Sequence, residues 1–380
     1  RPHSSGCYLN ADPWKNHIAE GLNLNAHLKN HGYYTAAMGK TYHSSSGGLK
    51  TVYASEWDQY PPTRRGQSAG RAPRKNEGYH EPLEIDLQDE DLPDWHTVDF
   101  CIEQLKEKRN KPFFLACGLS KPHLPWAVPR KYYEHYPLES IQLPPHKKDD
   151  LDDIPAAGVK VAGPEKDHAK FLQSGRWKDA VRSYLATIAY TDMNIGRLLD
   201  AYEKSPERDN TIVVLWGDHG WHLGEKQHWR KFALWEEATR SPLIWVAPGI
   251  TTGGERCEQP VDFLSIYPTL CELVNVPTPN HAKGASMATL LKDPHCDWDG
   301  VALTTHGYRN HALRDRQFRY IRYSDGSEEL YDHVKDPYEY TNLAQDPVMA
   351  ATKQRLAAFL PSANTPPTTQ TRKKHRKNSS

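Results

Sequence analysis

A short segment that follows an apolar run concentrates groups that could bind a metal ion and an anion. Residues 211–232 read TIVVLWGDHGWHLGEKQHWRKF, and Asp218, His219 and Lys231 follow the apolar part. The carboxylate and the imidazole are ligands for a divalent cation, and the carboxylate favours a hard ion, Ca²⁺ or Mg²⁺. A lysine ammonium neutralises sulfate or phosphate oxygens as charge builds up in a transition state. The segment therefore predicts a cation beside an oxyanion.

Two other apolar runs also end in lysine and histidine. Lys40 and His43 follow the run that ends at Gly39, whereas Lys121 and His123 follow the run FFLACGLS. Single residues of this kind also have a structural explanation. Lys40 could be a surface lysine, and His123 could be a turn residue bonded to a backbone carbonyl.

The carboxyl ends of strands in an open α/β sheet meet at one edge, where ligands bind. Three such ends would bring together lysines, histidines and a carboxylate, a set that suits a doubly charged oxyanion. A histidine within reach of the ester oxygen would protonate a leaving alcohol. Asp218 alone could cap a turn, and His222, Lys226 and His228 are expected to be solvated or to support the site. Two ligands are too few for Ca²⁺, so further carboxylates and a nucleophile are required.

The elements that position these groups alternate along the chain. Helical periodicity predicts helices near residues 14–30, 95–108 and 178–203, and apolar runs predict strands in the segments between and after them. This order predicts an α/β layered fold with a large, mostly parallel central sheet. Residues 44–95 are polar and rich in Gly, Pro and Arg, which predicts a long surface excursion.

The C-terminal part of the chain has a different pattern. RQFRYIRYSDGSEELYD predicts a hairpin around Asp325 and Gly326 within a small antiparallel subdomain. We therefore predict a catalytic domain over residues 1–292, a C-terminal subdomain over residues 293–360 and a disordered basic tail over residues 361–380.

Composition argues against several classes of partner. The 380 residues contain 48 Lys and Arg and 48 Asp and Glu, so no overall charge favours nucleic acid. No stretch approaches the roughly 18–20 apolar residues of a membrane span. The six cysteines are scattered without a CxxC pair, and their spacing neither requires nor excludes a disulfide.

Five segments resemble the sulfatase family in their order and spacing. They are GYYTAAMGKTYH, KPFFLACGLSKPHLPW, GDHGWHLGEKQHWRKF, ATRSPLIWVAPG and ELYDHVKDPYEYTNLA, and the likeness is greatest to iduronate-2-sulfatase-like sulfatases. The resemblance extends over nearly the whole chain except residues 44–95 and the tail. It implies the alkaline-phosphatase-type α/β fold with a smaller C-terminal subdomain, and hydrolysis of sulfuric esters as the activity.

The resemblance also implies roles for the residues of the first motif. Asp218 and His219 would be calcium ligands, with Mg²⁺ as the other candidate ion. Lys231 would hold the sulfate group of the substrate.

For the two other motifs, the resemblance implies direct roles at the substrate. Lys40 would bind sulfate, and His43 would assist turnover at the nucleophile. His123 in the sequence KPH would donate a proton to the leaving alcohol, and Lys121 beside it would contact the substrate.

One element of the family is missing from this sequence. Sulfatases carry a Cys-x-Pro-Ser-Arg or Cys-x-Ala-x-Arg motif whose Cys or Ser is oxidised to formylglycine, the hydrated aldehyde that attacks sulfur. No cysteine has this context: Cys7 precedes Tyr-Leu-Asn, Cys101 precedes Ile-Glu-Gln and Cys117 precedes Gly-Leu-Ser. The tandem aspartates of the family's N-terminal region are missing as well. We therefore expect an N-terminally truncated chain that is unstable or inactive by itself.

The leading hypothesis is a sulfuric ester hydrolase that acts on sulfated uronate or hexose units of a polysaccharide. The alternatives are a phosphodiesterase or phosphonate hydrolase of the same superfamily, and a non-catalytic sulfated-glycan-binding protein. The family implies a formylglycine-generating enzyme as a partner and a periplasmic or secreted location. Four tryptophans near the motifs could stack on sugar faces or be buried in the core: Trp126, Trp221, Trp229 and Trp235.

Overall fold

The computed structural model describes residues 1–43, 56–63 and 87–368. Its α-helices are α1 (Pro2–Ser5), α2 (Leu24–Asn30), α3 (Pro93–Lys106), α4 (Arg130–Glu134), α5 (Ala156–Ala162), α6 (Asp167–Ser174), α7 (Trp177–Glu203), α8 (Glu236–Thr239), α9 (Ile266–Leu273), α10 (Ala288–Lys292) and α11 (Ala350–Ala357). Its strands are β1 (Tyr34–Gly39), β2 (Phe113–Gly118), β3 (Val213–Trp216), β4 (His222–Leu223), β5 (Trp229–Arg230), β6 (Leu243–Val246), β7 (Ala302–Thr305), β8 (His311–Arg314), β9 (Phe318–Arg322) and β10 (Glu328–Asp332). Short 3₁₀ helices lie at Trp14–His17, Asp89–Asp91, Leu138–Ser140, Arg208–Asn210, Glu225–Gln227, Phe263–Ser265 and Pro347–Met349.

The chain divides into two compact units. The first unit comprises Arg1–Ile18, Pro144–Lys170 and Ile212–Ser380, and the second comprises Ala19–Leu143 and Phe171–Thr211. The boundary predicted between residues 292 and 293 falls inside the first unit. A separate C-terminal subdomain therefore stays a prediction.

The second unit is built around the parallel strand pair β1–β2. The strands pair from Tyr34 opposite Phe113 to Gly39 opposite Gly118. Helix α3 packs on both strands and against the long helix α7. Since both strands run in the same direction, they end at the same edge, where the Lys40 and His123 segments follow them. The buried residues of this unit include Leu92, Val128, Tyr132, Tyr133, Ala186 and Tyr190.

Two of the three predicted helices, those near residues 95–108 and 178–203, are confirmed with slightly shifted ends. Helix α3 begins at Pro93, whose ring presets the backbone angle of a first helical position, and α7 covers Trp177–Glu203. The single helix predicted near residues 14–30 is wrong, because a 3₁₀ helix and α2 stand in its place. Gly21 lies between them with φ 76°, a left-handed conformation that ends a helix. Strand β2 was expected to be buried on both faces, but all its residues are partly exposed.

The first unit contains the antiparallel sheet that the C-terminal sequence predicts. Its strand order is β10-β9-β8-β7, with antiparallel pairing throughout. The turn at Asp325 and Gly326 joins β9 to β10, and Gly326 has φ 88°. Leu313, Tyr320 and Leu330 of this sheet are buried together with α11. The small antiparallel C-terminal sheet is therefore confirmed.

Strands β3 and β6 depart from the predicted parallel sheet. They pair antiparallel, with Val213 opposite Val246. Parallel pairing in the described residues is limited to β1–β2 and one isolated bridge between Ala36 and Gln59. The reason is the connection over residues 217–242, whose two ends meet where Gly217 N donates to Pro242 O at 3.0 Å. A chain that returns to the same end of a strand must run back antiparallel to it. The α/β class itself is confirmed.

The last described residues pair with the N-terminal segment. Thr365 N donates to His3 O at 2.7 Å, and Thr368 N donates to Gly6 O at 3.2 Å. Residues 365 and 368 thus have backbone partners in the N-terminal segment, and the disordered tail over residues 361–380 stays a prediction. Backbone groups that find partners in another segment are fixed by it.

Parts of two predicted segments lie outside the described residues. They are residues 369–380 of the tail, and residues 44–55 and 64–86 of the surface excursion. Residues 56–63 and 87–95 of that excursion are described. They include the 3₁₀ helix Asp89–Asp91.

Candidate functional site

The turn that contains Asp218 and His219 follows β3 and is held by the segment that leads into β6. Gly217 N donates to Pro242 O at 3.0 Å, and Ser241 Oγ donates to Gly217 O at 2.8 Å. These hydrogen bonds fix the backbone on the N-terminal side of the turn.

The C-terminal side of the same turn lies against helix α8. Gly220 N donates to Ala238 O at 2.9 Å. A Cβ atom on Gly220 would overlap the carbonyl oxygens of Glu237 and Arg240. Glycine is therefore required for this close approach, and the two residues before it are held on both sides.

Asp218 and His219 present two ligand atoms close together. His219 Nδ1 lies 2.8 Å from Gly220 O, and since a carbonyl only accepts, Nδ1 carries the proton and Nε2 the lone pair. Nε2 is 3.4 Å from Asp218 Oδ1. Calcium binds its ligands at about 2.3–2.6 Å, so two atoms at this separation can share one ion. The pair therefore fits two of the ligands that calcium needs.

A second cluster with metal-ligating groups has another explanation. Within residues 1–43, 56–63 and 87–368, three such side chains lie together at Glu236, His333 and Glu339. The Arg319 guanidinium contacts both carboxylates, with Nε 2.5 Å from Glu339 Oε1. Burial would raise the pKa of Glu339, but the Arg319 charge and His333 outweigh it and lower this pKa to about 2. A metal ion would have to displace a buried arginine, so we assign none to this cluster.

Two imidazoles of the motif are buried rather than solvated. His222 Nδ1 lies 3.1 Å from Glu225 O, and His228 Nδ1 lies 2.9 Å from Ala162 O. Their rings are T-shaped with centroids 5.0 Å apart. Burial lowers the pKa of His228 to about 4 and that of His222 well below its ordinary value. Both rings are therefore neutral, and they support the loop from within the first unit.

Lys226 is also buried, which excludes the solvated alternative and leaves a supporting role. Its Nζ lies 2.8 Å from Asp150 Oδ1 and donates to the carbonyl oxygen of Glu339. The side chains of Lys226 and Asp150 are 2% and 1% exposed. The ammonium also lies 4.9 Å from the ring centroid of Tyr331. This lysine anchors the motif to two distant segments of the first unit.

Lys231 follows a turn with unusual backbone angles. Lys226, Gln227 and Arg230 have φ values of 52°, 49° and 77°, in the left-handed region. Such conformations cost about 1 kcal/mol or more for residues other than glycine, so surrounding contacts must offset them. Lys231 is partly exposed, with Nζ 5.7 Å from the ring centroid of Phe232.

The C-terminal ends of the paired strands β1 and β2 are in close backbone contact in the second unit. Lys40 N donates to Gly118 O at 2.6 Å. Gly39 has φ 86°, and a Cβ atom on it would overlap Gly118 O. Lys40 is thus brought to the end of β2, as the sequence predicts, and His43 is exposed three residues later.

The turn after β2 is organised by Asp94, a residue that sequence reasoning missed. Its buried carboxylate accepts hydrogen bonds from Ser120 N at 2.9 and 3.0 Å and from Lys121 N at 2.8 Å. Burial raises the pKa of Asp94, and these bonds oppose the shift. Its position directly after Pro93 at a helix start was a signal for a backbone-binding carboxylate, although an unspecific one.

Lys121 and His123 both make contacts within this turn. Lys121 Nζ donates to Pro125 O, and burial lowers its pKa to about 8 although Asp94 opposes the shift. His123 Nδ1 lies 2.9 Å from Leu124 O. The ring proton is therefore on Nδ1, and Nε2 is the nitrogen that could exchange a proton with a ligand.

The four tryptophans near the motifs are core residues. Trp126 and Trp235 are 1% exposed, Trp229 is 3% exposed and Trp221 is 8% exposed. Trp126 Nε1 donates to a backbone carbonyl at 2.8 Å, and Trp235 Nε1 donates to Glu329 at 2.7 Å. Of the two explanations, burial is correct, and these rings are not sugar-stacking surfaces.

Comparison with protein families gives two matches. Residues 2–276 match the family described as Sulfatase, and residues 224–365 match the C-terminal region of N-sulphoglucosamine sulphohydrolase. The first match alone covers more than half of the chain. It includes every site residue that the sequence predicts.

Related proteins carry sulfatase names. A sulfatase of Formosa agariphila is 37% identical over 361 residues, which are 90% of this chain and 69% of that protein. Iduronate 2-sulfatase of Mus musculus is 28% identical over 333 residues, covering 73% of this chain and 59% of that protein. The chain thus spans between 59% and 69% of the length of these two relatives.

A solved structure supports the same fold. It is described as a complex with its substrate D-glucosamine-2-N,6-O-disulfate, and it aligns with a TM-score of 0.71 and 22% identity. The alignment covers 99% of this chain and 86% of that chain. At this identity the likeness concerns the fold alone.

Proposed function

Because the chain belongs to the sulfatase family of sulfuric ester hydrolases, we propose that the protein removes sulfate from a sulfated sugar or polysaccharide. The observation that carries this proposal is the pair of ligand atoms on Asp218 and His219, 3.4 Å apart at the end of a strand. Both residues lie in the segment that matches the family, and hydrogen bonds hold their turn on both sides.

In the first unit, Asp218 and His219 would bind calcium or magnesium. The bound cation would stabilise negative charge on sulfate oxygens. Lys231 would bind a sulfate oxygen through its ammonium, since charge-assisted hydrogen bonds to oxyanions are strong. Its partly exposed position after the anchored turn supports this role.

In the second unit, Lys40 and Lys121 would bind sulfate or the rest of the substrate. Lys121 donates to Pro125 O within its own turn, so it would have to exchange this acceptor for a substrate oxygen. His123 would protonate the leaving alcohol through Nε2, because its Nδ1 is held by a backbone carbonyl. His43 would assist turnover at the nucleophile.

The proposed nucleophile is formylglycine, made from a Cys or Ser by a formylglycine-generating enzyme. None of the six cysteines in this sequence stands in the family's modification motif. The relatives are longer than this chain. The proposal therefore concerns the full-length gene product, and the present residues contribute cation binding, sulfate binding and proton transfer.

The substrate class follows from the names of the relatives. Iduronate 2-sulfatase is the name of one relative, and the aligned structure holds a sulfated glucosamine. We therefore propose a sulfated uronate or hexose unit of a polysaccharide. A periplasmic or secreted location would expose the enzyme to such glycans. None of the helices in the described residues is both long and apolar enough to cross a membrane.

The proposal is tested by sulfate release from a panel of sulfated glycans with calcium present. The 380-residue chain is compared with a version extended upstream through the genomic reading frame and co-expressed with a formylglycine-generating enzyme. We expect sulfate release by the extended protein and none by the shorter chain. Release by the shorter chain would contradict the formylglycine proposal.

Two further outcomes would favour the alternatives. Hydrolysis of a phosphonate monoester or phosphodiester in place of the sulfated glycans would identify a phosphonate hydrolase or phosphodiesterase. Binding of sulfated glycans without turnover in the extended protein would identify a glycan-binding protein. Either result would overturn the proposed sulfatase activity.

A further inference from the structure

We propose that a buried charge cluster in the first unit positions the Asp218–His219 turn for cation binding. The cluster consists of Arg319, Glu236 and Glu339, and it acts through helix α8. These are positioning residues for the proposed reaction, and the inference rests on the proposed function for the identity of the ligand.

The Asp218–His219 turn is in direct contact with α8. Gly220 N donates to Ala238 O, and the glycine lies against the carbonyl oxygens of Glu237 and Arg240. Because the contact leaves no room for a Cβ atom, a small shift of α8 would move the turn or break the contact. The geometry of the two metal ligands thus depends on where α8 lies.

Helix α8 cannot hold its own position. It contains four residues, Glu236–Thr239. Isolated helices of this length are unstable in water, because nucleation fixes several residues for a single hydrogen bond. External contacts must therefore fix the helix.

The contacts that fix α8 lie at its first residue. Glu236 N donates to Glu339 Oε2 at 3.0 Å, and the Glu236 carboxylate contacts the Arg319 guanidinium. Arg314 Nε adds a longer contact to Glu236 Oε2 at 3.5 Å. Both the backbone and the side chain of the first residue of α8 are thus bound to charged groups.

Strand β9 fixes the charge cluster itself, because it carries Arg319. Arg319 is 2% exposed. Besides contacting Glu236, its guanidinium donates to Glu339 Oε1 at 2.5 Å and to Leu234 O at 3.1 Å. Trp235 Nε1 also donates to Glu329 Oε2 of β10 at 2.7 Å. The three residues from Leu234 to Glu236 are therefore tied to the C-terminal sheet. The C-terminal sheet is therefore connected to the Asp218–His219 turn by helix α8, which contacts the sheet at Glu236 and the turn at Ala238.

The test compares Arg319→Met with Arg322→Met in the full-length gene product. Both changes remove a guanidinium from β9, but Arg322 pairs with Glu328 and is 41% exposed. Hydrogen exchange of the amides of Gly217 and Gly220 is measured together with calcium binding by titration calorimetry. For Arg319→Met we expect both exchange rates and the calcium Kd to rise about tenfold or more, because the removed charge leaves buried carboxylates unpaired. Arg322→Met should leave both quantities unchanged.

Glu236→Gln keeps the inference testable where Arg319→Met does not fold. It preserves the size of the side chain and weakens its contact with Arg319, so it should raise the same two quantities while distant segments such as α7 keep their protection. Unchanged exchange of Gly217 and Gly220 in folded Glu236→Gln or Arg319→Met would overturn the inference, as would an equal effect of Arg322→Met. Failure of the proposed function is distinguishable, since it would show as wild-type protein without sulfate release, whereas the exchange readout needs no activity.

Discussion

At the scale of single residues, some ionisable groups of the motif after β3 are accessible to a ligand, whereas others are buried and support the loop. Asp218 and Lys231 are exposed or partly exposed, whereas His222 and His228 are buried and neutral. Residue types predicted the chemistry of a cation beside an oxyanion, but they could not predict this division. An imidazole that binds a ligand and one that fills a core look alike in sequence, since burial is decided by segments distant along the chain.

The buried imidazoles predict that stability falls in mild acid. The pKa of His228 is about 4 in the folded chain, below the value of about 6.5 of an unfolded histidine, so the folded state binds fewer protons. Its contribution is complete above pH 6.5 and is lost as the pH falls towards 4, by about 2 kcal/mol at pH 5. In the full-length gene product, His228→Asn should reduce the loss of unfolding free energy between pH 7.5 and pH 5, measured by urea denaturation.

The control for this prediction is His295→Asn. The His295 side chain is 75% exposed, so the substitution changes an imidazole that is not buried. An equal pH dependence in wild type and in folded His228→Asn would contradict the account of this residue.

At the scale of elements, sequence periodicity predicted the helices and strands better than it predicted which strands pair and in which direction. Strands β1 and β2, helix α7 and the β9–β10 hairpin follow from apolar patterns and turn residues. The antiparallel pairing of β3 with β6 does not, because the direction of a strand depends on where its connection ends. Asp94 was missed for a related reason. Its partners, Ser120 N and Lys121 N, become visible only when α3 packs beside β2.

We predict that the stability of the loop that precedes Lys231 depends on a buried ion pair. Lys226 and Asp150 are 2.8 Å apart and almost inaccessible to solvent. Lys226→Met would leave the Asp150 carboxylate buried and unpaired, so it should lower the free energy of unfolding by about 3–5 kcal/mol. The double variant Lys226→Met/Asp150→Asn should lose less than the sum of the two single changes.

A double-mutant cycle with chemical denaturation of the full-length gene product measures this coupling. Lys147→Met with Asp149→Asn provides a control pair, since these side chains are 3.6 Å apart and 41% and 61% exposed. Additive effects for Lys226 and Asp150 would show that the pair does not hold the turn.

At the scale of the whole molecule, the strand pair β3–β6 exposes apolar side chains. Trp216, Ile244 and Val246 are 48%, 56% and 43% exposed. In the described residues these strands form a two-stranded sheet, and unpaired strand edges with apolar side chains promote association. Fold class and the C-terminal sheet were predictable from sequence, but the extent of this exposed surface was not, because it depends on which strands pair.

We therefore predict that the 380-residue chain alone associates and is inactive. Static light scattering should find species larger than the monomer, and thermal unfolding should lack a cooperative transition. Ile244→Lys places a charge on the exposed surface and should reduce association. A monomer with a cooperative melt and metal-dependent turnover would refute this prediction.

The most direct test of the central claim is the calcium dependence of sulfate release after a single change at the cation pair. The full-length gene product is assayed on a sulfated glycan as wild type, as Asp218→Asn and as Asp209→Asn, whose native side chain is 95% exposed. The account predicts that Asp218→Asn lowers kcat/KM by about 100-fold or more at a fixed calcium concentration, since a cation ligand has lost its charge. Asp209→Asn should match wild type. An Asp218→Asn variant with wild-type rate and wild-type calcium dependence would contradict the assignment of this turn as the cation site.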